Sequence, residues 1–194
     1  MANKKTMALT QAQFEQIIAL IKTGFTTSAG KQVKPNIRIA TALTLQANLG
    51  LRIGDIIALR LRDIIADGGR MRLNIVEEKT RKTREFTVPS EIYTYLQTYA
   101  LNQGIRPTQR LFDLTTRAIQ HHLQLATEHL GLSGLGTHSF RKYFAVSIYN
   151  ENGYNVELVR QLLQHSSVAV TQHYLSVQPQ LVEQALQKHI ILPA

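Results

Sequence analysis

The chain has 194 residues and no cysteine, which excludes disulfide bonds and zinc sites built on thiolates. Its hydrophobic fraction of 44% supports a buried core and excludes a largely disordered chain, and no stretch approaches the roughly 18 apolar residues of a membrane span. The net charge of +9 favours a polyanionic partner, most commonly nucleic acid, over the alternative of a generally basic soluble protein.

The excess positive charge lies in the first 90 residues. Residues 1–40 hold six Lys and Arg against one acidic residue, and residues 51–90 hold nine against six. Residues 91–194 are nearly balanced, with seven against six. If the first 90 residues share one side of the fold, they form a cationic face. The first ten residues lead into no apolar stretch of signal-peptide length, so we expect a soluble, cytoplasmic protein.

Apolar residues at helical spacing predict two helices in the first 50 residues. The first follows Thr10, which suits an N-cap, and ends near Gly24. Residues 26–36 are predicted to be a polar connection. The second helix, over 37–50, is apolar on several faces and ends at Gly50, which suits the position just after a helix. A short helix is expected at about Asp55–Leu61.

Alternating residues then predict strands. Residues 62–89 contain a turn at Asp67-Gly68-Gly69 and alternating segments on both sides of a basic turn, "KTRK". We expect a small three-stranded antiparallel sheet, followed by a helix from Ser90 to about Leu101. Further helices are predicted near residues 115–130, 138–150, 155–164, 167–173 and 179–190. The predicted fold class is mainly α (α+β), in a single domain over residues 1–194.

The last 60 or so residues carry an ordered series of groups suited to phosphate chemistry. His138 and Arg141 are three residues apart and share a helical face, and His165 and Tyr174 follow in "LLQHSSVAVTQHY". Each residue alone has a commoner structural role, because a tyrosine near a helix end usually packs with a solvated hydroxyl. Together they are better explained as a set that attacks a phosphodiester with a side-chain hydroxyl.

Such a site without metal must neutralise the non-bridging phosphate oxygens with side chains, and the planar fork of arginine suits this task. Arg52 follows the helix-ending glycine in "NLGLRIGD", and Asp55 is placed to orient it. No clustered carboxylates of the kind that hold magnesium in nucleases occur in the sequence. A lysine in the predicted hairpin can protonate a departing 5′ oxygen, although such a turn is more often merely solvated. The hairpin offers four cations: Lys79, Arg81, Lys82 and Arg84.

In this order and spacing, "GLRIGD", the hairpin lysine, "HSFR", "LLQHSS" and the terminal tyrosine resemble the tyrosine recombinase (phage integrase) family. The resemblance runs from about Leu9 to the C-terminal helix. It implies a helical catalytic domain with a small sheet, and DNA strands cut and rejoined through a 3′-phosphotyrosine without metal, ATP or other cofactor. The implied catalytic residues, which Asp55 supports, are Arg52, Lys79, His138, Arg141, His165 and Tyr174.

The resemblance also implies a role for each residue. Tyr174 is the nucleophile, and because a free phenol is mostly protonated at neutral pH, Arg52 and Arg141 are expected to favour its phenolate and the charge on phosphate. His138 is expected to accept or relay the proton, and His165 to hydrogen-bond a non-bridging oxygen. Lys79 would protonate the leaving oxygen, with Lys82 as the alternative. The expected DNA-binding residues are Arg81, Lys82, Arg84 and Lys142.

Two departures from the family pattern stand out. Leu163-Gln164 replaces a common Leu-Gly ahead of the second histidine, and we interpret that glycine as a backbone convenience that the chemistry does not need. Typical members carry an additional helical DNA-clamping domain of ~100 residues, which is not expected in this chain. The chain is therefore expected to be either a catalytic-domain fragment or a minimal recombinase that resembles the fimbrial phase-switch invertases.

Residues 175–194 predict a tail helix. This helix is expected either to pack on its own domain or to dock on a neighbouring subunit. Docking on a neighbouring subunit is favoured, because recombination uses four active sites in pairs. The expected partners are therefore double-stranded DNA, a homotetramer assembled on DNA, and an accessory DNA-bending protein, with no membrane and with a nucleoid location. Two other functions stay open: a type IB topoisomerase that relaxes DNA as a monomer, and a catalytically silent DNA-binding regulator, which the complete residue set disfavours.

Overall fold

The computed structural model describes residues 6–76 and 83–175, together with Gln187. It divides into two compact units, one running to Phe144 and the other starting at Ala145. The helices are α1 (Gln11–Thr23), α2 (Ile37–Leu49), α3 (Ile53–Ala58), α4 (Ser90–Asn102), α5 (Thr116–His129), α6 (Thr137–Glu151), α7 (Val156–Leu163) and α8 (Val168–Leu175). The strands are β1 (Phe25–Thr26), β2 (Gln32–Val33), β3 (Ile64–Asp67), β4 (Arg70–Val76) and β5 (Thr83–Val88). The predicted mainly helical fold class is confirmed, while the single domain stays a prediction.

The first two helices begin and end where their sequences predict. Reciprocal hydrogen bonds start α1, because the Thr10 hydroxyl accepts from the Gln13 amide at 3.2 Å and the Gln13 side chain accepts from the Thr10 amide at 3.0 Å. Helix α2 starts at Asn36, whose side chain accepts from the Ile39 amide at 3.1 Å. Gly24 and Gly50 end these helices with positive φ. The inner faces of α1 and α2 supply much of the buried core of the first unit.

Two elements differ from the sequence prediction. Part of the predicted polar connection is a hairpin, in which Phe25 pairs with Val33. The Phe25 ring packs against the ring of His129, with the two ring centroids 4.9 Å apart. Two-residue strands are too short for a periodic signal. Helix α3 spans Ile53–Ala58 instead of Asp55–Leu61, because Leu59 is extended and its carbonyl accepts from the Leu111 amide at 2.8 Å. A tertiary contact therefore ends this helix.

The three-stranded antiparallel sheet has the order β3-β4-β5 and is confirmed. Asp67 pairs with Arg70 around the predicted Gly68-Gly69 turn, whose φ values of 55° and 78° favour glycine. Leu73 of β4 lies opposite Phe86 of β5 and is fully buried, so one face of the sheet lies on the core. The basic turn with Lys79, Arg81 and Lys82 falls outside the described residues. Arg84 pairs with Ile75 in the β4-β5 ladder.

The second unit contains the last turns of α6, then α7 and α8. Asn155 caps α7 by accepting from the Leu158 amide at 3.0 Å, and Val159 and Leu163 are fully buried. In the part of the chain that the structure describes, the longest helix has 15 residues, and none is long and apolar enough to span a bilayer. The predicted tail helix over 179–190 lies outside the described residues except for Gln187.

Candidate active site

Arg141 is a buried, hydrogen-bonded cation of the predicted site. It lies on α6 in the first unit with only 3% of its surface exposed, and its guanidinium donates a hydrogen bond to the Gly50 carbonyl. A buried charge is costly unless it is hydrogen-bonded. The carbonyl therefore fixes the position of this guanidinium before any ligand arrives.

Gly50 meets three demands at the end of α2. Its amide donates to the Gln46 carbonyl at 3.0 Å, its φ is 59°, and its carbonyl accepts from Arg141. A Cβ at this position would lie 2.3 Å from the Phe144 ring. Only glycine satisfies both the left-handed backbone and this close approach.

Gln46 holds the next peptide group in place. It lies on α2 with 2% exposure, and its Nε2 donates to the Leu51 carbonyl at 3.2 Å. The carbonyls of Gly50 and Leu51 are thus both engaged, immediately before Arg52. Arg52 is the N-cap residue of α3, and Asp55 is buried in the first turn of that helix. The segment that carries Arg52 is therefore held from two directions.

We expect Gly50→Ala to lower the free energy of unfolding by about 2–5 kcal/mol, from left-handed strain and overpacking against Phe144. Denaturant unfolding of the purified variant measures it. Gly104→Ala is the matched control, because Gly104 has φ 64° but open space around its Cβ position, so it should lose only about 1 kcal/mol. Equal losses in the two variants would contradict the proposed clash.

His138 and Lys142 lie on the same helix as Arg141 but in different environments. His138 is exposed in the first turn of α6. The Lys142 ammonium donates to the Thr6 carbonyl at 2.8 Å, so it is tied to the segment before α1. That contact spans 136 residues and has no sequence signal. His138 is open to solvent, as a group that exchanges protons requires.

In the second unit, His165 and Tyr174 are in direct contact. Their rings meet edge to face with centroids 5.1 Å apart. His165 Nδ1 lies 3.1 Å from the Thr171 hydroxyl, whose own proton points to the Ser167 carbonyl at 3.3 Å. That assignment leaves the hydroxyl oxygen as an acceptor, so it favours a proton on Nδ1. Helix α8 thus supplies both the tyrosine and the group that orients the histidine.

An ion pair supports the backbone of His165. Arg160 donates to the His165 carbonyl at 3.1 Å and pairs with Glu157 at 2.6 Å. Hydrogen bonds from Arg160 and Gln161 lower the pKa of Glu157 to about 2. Donating to the Glu157 carboxylate raises the pKa of Arg160. The pair therefore stays ionised at neutral pH and holds the turn between α7 and α8.

Gln164 adopts the left-handed conformation at the end of α7, with φ 53°. This explains why glycine suits the position before the second histidine. A non-glycine residue in this conformation costs about 1 kcal/mol. The amides of Gln164 and His165 still donate to carbonyls of α7 at 3.1 Å and 3.0 Å. The departure from the Leu-Gly pattern leaves the helix ending intact.

The predicted catalytic residues lie in both units, except Lys79, which falls outside the described residues. Arg52, Asp55, His138 and Arg141 belong to the first unit, and His165 and Tyr174 to the second. Sequence reasoning missed the residues that hold them. Gln46 had a weak signal, as an amide in an apolar helix, whereas nothing local marked the roles of Arg160 and Thr171.

The chain matches the phage integrase family over residues 7–180. It is 30% identical over 135 residues to the probable integrase/recombinase YoeC of Bacillus subtilis (strain 168), covering 67% of this chain and 72% of the relative. It is 33% identical over 149 residues to the tyrosine recombinase XerC of Methylobacterium sp. (strain 4-46), covering 72% of this chain and 46% of the relative. The chain spans about half the length of such XerC relatives.

Solved structures share the fold. The XerH recombinase in a post-cleavage complex with its palindromic difH substrate matches with a TM-score of 0.69 and 19% identity, over 95% of this chain and 54% of that one. The catalytic domain of bacteriophage HP1 integrase matches with a TM-score of 0.62 and 18% identity, over 95% and 96% of the two chains. At these identities the likeness establishes the fold.

Proposed function

Because the chain belongs to the phage integrase family, we propose that it is a site-specific DNA recombinase that cuts and rejoins strands through a 3′-phosphotyrosine. The observation that carries the proposal is the contact between Tyr174 and His165, with ring centroids 5.1 Å apart. A tyrosine that only packs has no need of an oriented histidine. A nucleophile that attacks a phosphate does need one, because the phosphate oxygens require hydrogen-bond donors.

In the proposed reaction, the Tyr174 oxygen attacks the scissile phosphorus and forms a P–O bond to the phenol. The bond to the 5′ oxygen breaks, and that oxygen leaves as a hydroxyl after gaining a proton. The incoming 5′ hydroxyl of another strand then reverses these steps. The phosphotyrosine retains the energy of the broken bond, so the reaction needs no ATP, and arginine side chains take the place of a metal in neutralising the phosphate.

Arg52 and Arg141 are proposed to stabilise the negative charge that develops on the phosphate. Arg141 suits this role because the Gly50 carbonyl holds its guanidinium in place. An anchored cation needs little reorganisation when charge develops, which is the main advantage of a preformed site over water. Asp55 supports Arg52 from the first turn of α3.

His165 has a defined protonation requirement in this proposal. Its Nδ1 faces the Thr171 hydroxyl, so the other nitrogen, Nε2, is the one that can reach a phosphate oxygen. If Nδ1 carries a proton, Nε2 donates only when the ring is doubly protonated and cationic. His138 is then proposed to accept or relay the proton of Tyr174.

The remaining roles fall on residues near the basic turn and on partners. Lys79, or Lys82 in its place, is proposed to protonate the leaving 5′ oxygen, and Arg81, Arg84 and Lys142 to bind DNA. The partners are double-stranded DNA of the nucleoid, further copies of the chain in a homotetramer joined by the tail helix, and an accessory DNA-bending protein. XerH is described as bound to its difH DNA, which supports the choice of duplex DNA.

A nicked suicide substrate tests the proposal. Candidate core sites come from inverted repeats that flank the encoding gene, and the nick lets a short fragment diffuse away after cleavage. We expect a covalent protein–DNA adduct that resists detergent and forms equally well with a chelator present. Relaxation of supercoiled DNA without recombinant products would favour a type IB topoisomerase, and binding without adduct would favour a silent regulator.

A further inference from the structure

Four arginines lie together on two paired segments of the first unit, outside the candidate site. An isolated antiparallel bridge joins Arg60 to Arg110, and a 3-10 turn (Leu61–Asp63) and a turn over 106–109 flank it. The Leu111 amide donates to the Leu59 carbonyl at 2.8 Å, and the Arg62 amide donates to the Pro107 carbonyl at 3.1 Å. Arg60 and Arg110 lie opposite each other. We name the set the arginine ladder: Arg60, Arg62, Arg106 and Arg110.

Among the described residues, none forms an ion pair with the arginine ladder. Asp63 is the nearest acid in sequence, but its Oδ2 accepts from the Arg60 amide at 2.8 Å. Within residues 6–76 and 83–175, no ladder guanidinium forms an ion pair. Arg72 of the neighbouring sheet differs, because it pairs with Asp67 at 3.0 Å and Glu85 at 2.7 Å. Four like charges on adjacent segments repel one another unless an anion binds.

The ladder is also held in place before any anion binds. Arg62, Arg106 and Arg110 are exposed, whereas Arg60 is half-buried. The Arg60 Nε is buried and has no hydrogen-bond partner among the described residues. A desolvated N–H without an acceptor is unfavourable. The hydrogen-bonded backbone and the partly desolvated guanidinium therefore form a cationic surface that has no counter-charge among the described residues.

The neighbouring cavity does not suit a small anion. It has a volume of about 520 Å³, and Arg110 lies on its wall. The same wall carries the carboxylates of Asp55 and Asp63, which repel an anion inside. The positive surface instead extends beyond the cavity along the two bridged segments, because exposed Arg62 and Arg106 do not line it. An extended polyanion fits such a row better than a single phosphate ion.

We propose that the arginine ladder binds backbone phosphates of duplex DNA away from the scissile phosphate, without reading the sequence. This rests on the proposed function only in the choice of DNA as the polyanion. Arginine forks bind phosphate oxygens in pairs, and each neutralised phosphate releases counter-ions. The ladder therefore contributes affinity and salt dependence, whereas the chemistry of cleavage belongs to other residues.

The test is a triple variant, Arg62→Gln/Arg106→Gln/Arg110→Gln, which leaves half-buried Arg60 unchanged. Fluorescence anisotropy measures Kd for two unrelated duplexes across a range of salt concentrations. We expect the slope of log K against log salt to become shallower by about 2–3 on both duplexes, since each phosphate contact contributes about 0.9. The corresponding triple lysine variant should restore most of the slope.

Arg72→Gln is the matched control, because Asp67 and Glu85 already neutralise that half-buried arginine, and its slope should equal that of wild type. An unchanged slope in the folded glutamine triple variant would overturn the proposal, and so would an effect on only one duplex, which indicates base reading. At saturating protein, the variant should form adduct at the wild-type rate. If wild type forms no adduct, the proposed function fails while the salt slopes still decide the ladder.

Discussion

Tyr174→Phe should form no detectable covalent adduct on the nicked substrate. The substitution removes one oxygen, the atom that would attack phosphorus, and keeps the ring. The edge-to-face contact with His165, at 5.1 Å between centroids, is therefore retained. We expect stability and DNA affinity close to those of wild type, because the change leaves the packing volume almost the same. A loss confined to chemistry distinguishes a nucleophile from a packing residue.

Denaturing gel electrophoresis of labelled substrate measures the adduct, and anisotropy measures DNA binding on the same preparation. Tyr154→Phe is the control, because Tyr154 is 61% exposed in the turn between α6 and α7 and removing its hydroxyl should change neither quantity. Adduct that persists in Tyr174→Phe would show that another residue attacks the phosphate. Tyr154 and Tyr143 would then be tested by the same substitution.

The second large effect is expected at Arg141. Arg141→Ala should slow cleavage at least 10²–10³-fold, the usual loss when one donor to a transition-state oxyanion is removed. It also leaves the buried Gly50 carbonyl without its donor, which should lower the free energy of unfolding by about 1–3 kcal/mol. Arg141→Lys keeps the charge but not the fork, so it cannot hold both that carbonyl and a phosphate. We expect cleavage by the lysine variant to stay well below wild type.

Single-turnover cleavage at saturating protein separates this loss from weaker binding. Kd for uncleaved duplex should rise only modestly in either Arg141 variant. Arg72→Ala serves as the control, since it removes a half-buried, ion-paired arginine of the same unit. Wild-type cleavage rates in Arg141→Ala would remove this arginine from the proposed site and leave Arg52 as the principal cation.

Local signals account for the parts of the fold that the sequence predicts. The Thr10 capping box, the glycine after α2 and the Gly68-Gly69 turn each act within a few residues, so the pattern of the chain reveals them. The β1-β2 hairpin is too short for such a signal. The end of α3 depends on pairing with Leu111, which is distant in sequence. A tertiary contact therefore accounts for the end of α3, and the shortness of the strands for the missed hairpin.

In the candidate site, too, local signals were predictable from the sequence and tertiary contacts were not. The order and spacing of the motifs identify which residues matter, but not what holds them. The Arg141–Gly50 hydrogen bond joins positions 91 residues apart, and no periodicity connects them. The contact between the Thr171 hydroxyl and His165 also has no sequence signal, because threonine is common in helices and strands alike. Gln46 is the exception, since a buried amide in an apolar helix already calls for a hydrogen-bond partner.

The Glu157–Arg160 pair has a consequence for how a pH–rate profile of this chain would be interpreted. A carboxyl pKa of about 2 in the folded chain lies below the ordinary value of 4.5. The pair therefore contributes its full stabilisation above about pH 4.5 and loses it as the pH falls through about 2. Between pH 5 and about 9, the support of the His165 carbonyl is constant. A change in cleavage rate with pH in that interval would then not arise from the turn that carries His165.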